Sequence, residues 1–197
     1  NSTSTATCLF QFQFTLSSAA PTGGWSARVT GFEGIEGVQD VGVGGFTVAI
    51  PQPALTILKS STVLSDPANF AVNPRRIPGA VVRYDIAVTN SGPGTVDAGT
   101  LVLTDAIPAN SSMYVFASGN PVVFINGATA SGLTFNPAAH LSYSAVGPAG
   151  PWDYTPAPDA AGFDAAVRAV RIAPGGVMNA ASGGNPSFTI QFRVRIN

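Results

Sequence analysis

Apolar and polar residues alternate with a period of two along much of this chain, which is the side-chain period of a β-strand. In CLFQFQFTL, residues 8–16, Phe10, Phe12, Phe14 and Leu16 share one face, while Gln11, Gln13 and Thr15 share the other. The same period recurs in AVVRYDIAVTN at 80–90 and SFTIQFRVRI at 187–196. Strands are predicted over 7–17, 25–32, 44–50, 54–62, 80–90, 100–107, 112–117, 122–127, 133–135, 163–173 and 187–196, separated by turn residues. The run FDAAVRAVRIA at 163–173 tolerates one helical turn before its strand. Elsewhere helix signals are nearly absent, because 22 Gly and 16 Pro leave few windows without a breaker.

These strands outnumber the seven of a minimal Ig-like sandwich, and the surplus lies upstream of Pro51. The pattern therefore predicts an all-β chain, with an Ig-like β-sandwich over 54–197 and an additional N-terminal β segment over 1–53. Pro51-Gln52-Pro53 forms a stiff joint between them. The N-terminal segment carries the strand at about 7–17 and the glycine-dense GFEGIEGVQDVGVGGF at 31–46, expected to form a loop or bulged hairpin. VGPAGPWDYTPAPDAAG at 146–162 is expected to be a long loop over one end of the sandwich. Trp152 and Tyr154 would anchor it, a sugar-stacking platform being their alternative role.

The 7–17 strand has the most demanding pattern. Burying its three Phe and one Leu is worth roughly 6–12 kcal/mol, whereas ordering nine backbone residues costs about 9–18 kcal/mol. Ladder hydrogen bonds, at about 0.5–1.5 kcal/mol each, must supply the difference. The strand thus needs both an apolar groove and an open sheet edge, and unpaired it is an aggregation hazard.

Composition narrows the classes of function. The chain has 45% hydrophobic and only 10% charged residues, yet Gly, Pro, Ser and Thr interrupt every apolar run before it reaches membrane-spanning length. Nine Lys plus Arg balance ten Asp plus Glu, and no basic cluster exceeds Arg75-Arg76, so neither nucleic acid nor a membrane span is expected. The sequence begins with Asn and shows no charged and apolar leader, which suits a secreted chain whose leader has been removed. Cys8 is the only cysteine, so it builds neither an internal disulfide nor a cysteine-based metal site, and it is read as a packing residue.

Residues 54–108 carry a more specific pattern: ALTILKSSTVLSDP, then IPGAVVRYDIAVTNSGPGTV, then the stretch from Leu101 containing LTDAIP. It resembles the repeat family known as domain of unknown function eleven, an Ig-like sandwich of bacterial and archaeal cell-surface proteins. The matching positions are Lys59, Pro78, Gly79, Val82, Tyr84, Ile86, Val88, Asn90, Gly92, Asp105, Ile107 and Pro108. The likeness is looser over 109–197 and does not extend to 1–53. It implies extracellular or cell-surface placement and a structural or adhesive role, with no catalytic residues to transfer. Related surface sandwiches join a strand Lys to an Asn or Asp through an isopeptide bond. Lys59 with Asn90 or Asp105 would be the candidates here, although Lys59 is read as lying near a strand end. From the residues alone, Val82, Tyr84, Ile86 and Val88 form a core face, and Asn90-Ser-Gly-Pro a turn that tolerates positive φ.

Other chemistry is sparse. His140 is the only histidine, and no nucleophile elbow places Ser142 or Ser144 beside it, so neither catalytic residues nor a cofactor is expected. Glu33, Glu36 and Asp40, and Asp153, Asp159 and Asp164, lack calcium-loop spacing and are read as loop carboxylates. Glycosylation sequons occur at Asn1 and Asn110, while Pro186 spoils the one at Asn185. The reading that absorbs most of this is an extracellular structural protein, a pilus-like filament subunit. It would polymerise with identical subunits by donating Phe10, Phe12, Phe14 and Leu16. The alternative is a monomeric cell-surface sandwich contacting a glycan or a host cell.

Overall fold

The computed structural model describes residues 23–34 and 37–48 as backbone, and residues 51–116 and 120–197 with their side chains. The 7–17 strand with Phe10, Phe12, Phe14 and Leu16, and also Cys8 and Asn1, lies outside the described residues. The chain divides between Ile50 and Pro51 into two units.

In the first unit β1 (Gly23–Gly34) and β2 (Gly37–Val48) form an antiparallel hairpin, running from Gly23 opposite Val48 to Gly34 opposite Gly37. Its register shifts twice, between Ser26 and Arg28 and between Val29 and Phe32. The glycine-dense stretch is therefore part of a bulged hairpin, as glycine inside a strand often signals.

The second unit is an all-β sandwich. Its elements are β3 (Leu55–Ser65), β4 (Val81–Asn90), β5 (Leu103–Ala106), β6 (Ser111–Tyr114), β7 (Val122–Asn126), α1 (Pro137–His140), β8 (Leu141–Ser144), β9 (Phe163–Asp164), β10 (Ala169–Ile172) and β11 (Ser187–Ile196). One sheet has the order β3-β4-β11-β6-β9, with β7 also on β11; the other is β5-β10-β8. All these pairings are antiparallel. At the centre of the larger sheet, β11 pairs with β4 over its length. Its other side is shared, β7 taking Phe188–Phe192 and β6 taking Val194–Ile196.

The alternation read in the sequence becomes the core. Phe188, Ile190, Phe192 and Val194 of β11 and Val82, Ile86 and Val88 of β4 are buried, against Leu103 of β5 and Val170 and Ile172 of β10. Phe124 stacks between Phe188 and Phe135 at centroid distances of 5.0 and 5.9 Å. Tyr84 is only half-buried on this face, stacked on Phe192 at 5.4 Å.

Some elements differ from the sequence reading. Residues 133–135 form no strand, only a bridge from Thr134 to Gly175. The run 163–173 splits into β9 and β10 with no helical turn. A helical turn occurs instead at α1, where Pro137 stands first and Asn136 caps by accepting from the Ala138 N–H at 3.0 Å. Strand β8 follows at once, in LSYS, too short and polar to carry a period.

Candidate functional site

Strand β3 stands at one end of the larger sheet, paired with β4 on one side and, among the described residues, with no strand on the other. Its first half carries apolar side chains in the open: Leu55 is 43% exposed, Ile57 60% and Leu58 70%. Opposed residues of an antiparallel pair share a face, so Leu55, Ile57 and Lys59 lie on the core side with their partners Asn90, Val88 and Ile86. Leu58 lies on the outer side. The Ala54 carbonyl accepts the Ser91 N–H at 2.9 Å, which directs the even-numbered residues toward β4. The N–H and C=O groups of Leu55, Ile57 and Lys59 therefore point to the open edge.

Three contacts hold this edge. Asn90, last in β4 and fully buried, accepts the N–H groups of Ala54 and Gly92 through Oδ1, each at 3.0 Å. Its Nδ2 donates to the carbonyls of Gly94 at 2.8 Å and Asn179 at 2.9 Å. The chain bends after Asn90 as expected, but without positive φ at Asn90 or Gly92, and Asn90 itself is a buried clasp. The glycines beside it permit close approach, since a Cβ on Gly92 or Gly94 would strike the backbone of residues 51–54. At the far end of the open stretch, Lys59 Nζ donates to Asp105 Oδ1 at 2.7 Å and lies 2.5 Å from Oδ2. It also sits 4.7 Å above the Tyr84 ring. Beyond it, Arg76 Nη2 donates to Ser61 Oγ at 2.8 Å.

Lys59 is thus not near a strand end, because β3 continues to Ser65. Asp105 belongs to β5, so the ion pair links the edges of the two sheets. Asn90 faces Leu55, four positions from Lys59 on β3, and is not brought to the amine. Asp105 Oδ2 is buried, and its polar contact is the ion pair with Lys59 Nζ.

Other candidates fall elsewhere. His140 Nδ1 accepts the Asn136 N–H at 3.0 Å, and Ser144 Oγ accepts from Val146 and Gly147, so Ser144 serves a turn. Tyr154 donates to buried Asp164 at 2.8 Å, a bond that raises its pKa. Asp159 is held below its ordinary pKa by the Phe163 N–H and by Arg195. Among the described residues no three His, Cys, Asp or Glu converge as metal ligands. No helix there is long and apolar enough to cross a membrane. Asn110 is exposed in a turn at φ +57°, whereas Ser112 of its sequon is buried against Asn197 at 2.7 Å.

A second feature was not legible in the sequence: a cleft of about 490 Å³ lined by Val115, Pro121, Asn136, Leu141, Tyr143 and Pro156, among others. Burial raises the pKa of Tyr143. Compared with known proteins, the chain matches no family model, no curated protein and no solved structure.

Proposed function

We propose that this chain is an extracellular structural protein, a pilus-like filament subunit that polymerises head-to-tail by donating its N-terminal β-strand. The observation that carries the reading is the first half of β3, a sheet edge that pairs with no strand among the described residues on its outer side and exposes Leu55, Ile57 and Leu58. Proteins ordinarily shield such an edge with charge, proline or a covering segment, and strand addition is the general way to satisfy it. The period-two row of Phe10, Phe12, Phe14 and Leu16 needs that kind of host. Insertion of one copy's strand into another's edge uses two different surfaces and does not close, so it propagates. The resemblance of residues 54–108 to domain of unknown function eleven supports an Ig-like, cell-surface setting, and the chain is read as non-enzymatic.

Electron microscopy tests this. The intact chain is expected to form filaments and a chain lacking residues 1–17 to remain folded and unassembled. A folded, monodisperse intact chain would defeat the proposal. The cleft beside Tyr143 favours a second reading, a monomeric adhesive or glycan-binding sandwich, for which saturable glycan binding lost in Tyr143→Ala is the corresponding test.

A further inference from the structure

We infer that the acceptor for the donated strand is the edge of β3 from Leu55 to Lys59, occupied by residues 8–16 of a second copy. This rests on the strand-donation reading and names its surface.

Among the described residues five strands of the sandwich have a side without a strand, β3, β5, β7, β8 and β9, and only β3 offers ladder groups beside an open apolar row on the core side. β7 exposes Val123 and Ile125, but these oppose Gln191 and Thr189 on the outer face, while its core-side Val122 is buried and Phe124 half-buried. β9 has two residues. The outer side of β8 is bridged by Tyr154 through Tyr143. β5 buries Leu103 and exposes Thr104 and Ala106, leaving no apolar row. β3 alone directs the N–H and C=O groups of Leu55, Ile57 and Lys59 outward beside exposed Leu55 and Ile57.

The same geometry limits the register. The Lys59–Asp105 pair and the Arg76–Ser61 bond stand at the far end, leaving an open stretch of about 13 Å at roughly 3.3 Å per residue. Phe10 to Leu16 spans about 20 Å on the same rise, so three of the four apolar residues face Leu55, Ile57 and the aliphatic stem of Lys59. The fourth extends past the start of β3. Residues 8–16 and 55–58 are uncharged, and the one charge in the acceptor, on Lys59, is already paired with Asp105, so this pairing buries no unpaired charge. The period sets the faces: Phe10, Phe12 and Phe14 lie toward the sandwich opening, and Gln11 and Gln13 lie outside with Leu58.

Disulfide trapping tests the assignment. In a Cys8→Ser background, Gln11→Cys or Gln13→Cys is combined with Leu58→Cys, or with Ser60→Cys should Leu58→Cys impair folding. Thr104→Cys on β5 serves as the control. Oxidation of the assembled chain is expected to give a ladder of covalent multimers with Leu58→Cys or Ser60→Cys, collapsing under reductant, and none with Thr104→Cys. A disulfide confined to monomers would overturn the second copy as occupant. Filaments that cross-link through Thr104→Cys, or through neither edge, would overturn the β3 assignment while leaving strand donation standing. Absence of filaments from the intact chain defeats the reading beneath both.

Discussion

Replacing Asn90 with alanine removes four hydrogen bonds from a fully buried position at once. Two backbone donors, on Ala54 and Gly92, and two carbonyls, on Gly94 and Asn179, lose their partner. At about 0.5–1.5 kcal/mol for each bond the loss is about 2–6 kcal/mol. A loss of about 4 kcal/mol lowers Tm by roughly 8–16 °C in a domain of this size. Urea unfolding followed by circular dichroism is expected to show a lower midpoint with an unchanged slope, since the surface exposed on unfolding is the same. Asn90→Asp separates the donors from the acceptors: it keeps bonds to Ala54 and Gly92 and sets a carboxylate against two carbonyls. Its folded-state pKa is raised, so its deficit is expected to grow as pH rises from about 4 to 8. A loss below about 1 kcal/mol in Asn90→Ala, less than one ordinary bond, would refute the clasp.

Two further outcomes follow from the same contacts. Lys59→Met leaves the Asp105 carboxylate mostly buried without its cation and is expected to cost about 1–3 kcal/mol. Asp105→Asn leaves Lys59, which is 40% exposed, free to reach water and is expected to cost under about 1 kcal/mol; equal losses in urea titrations would contradict an asymmetrically buried pair. Asp66 is held below its ordinary pKa by the backbone N–H groups of Asn69 and Arg75. The stability it contributes is present above the unfolded value of about 3.9 and lost as pH falls through the lower folded value. Asp66→Asn is therefore expected to be less stable than the native chain at pH 7 and to flatten the loss of Tm below pH 4, and an unchanged acid limb would contradict this.

The strands at the centre of the larger sheet were the easiest to read. β4 and β11 show their period because Val82, Ile86, Val88, Phe188, Ile190, Phe192 and Val194 alternate with polar residues and are buried. β8 escaped because Leu141–Ser144 is brief and two of its four residues are Ser, which carry no hydrophobic signal. Asn90 looked like a turn residue because asparagine has that local preference. Its real partners include Asn179, a non-local contact that no window of sequence contains. Lys59 was misplaced for a related reason: β3 runs on through Ser60–Ser65, which begins Ser-Ser-Thr, where the apolar pattern fades. Leu55, Ile57 and Leu58 were visible as a strand, but their exposure depends on β3 being last in its sheet. Strand order is a property of the whole fold.

The most direct test of the account is hydrogen exchange at the amides of Leu55, Ile57 and Lys59. In the assembled intact chain these three N–H groups are expected to be protected, and in the chain lacking residues 1–17 to exchange as fast as exposed, unbonded amides. The amides of Thr56 and Leu58, which face β4, are expected to stay protected in both. Fast exchange at Leu55, Ile57 and Lys59 within assembled filaments would contradict the account, because it would leave the open edge of β3 without the strand it is claimed to receive.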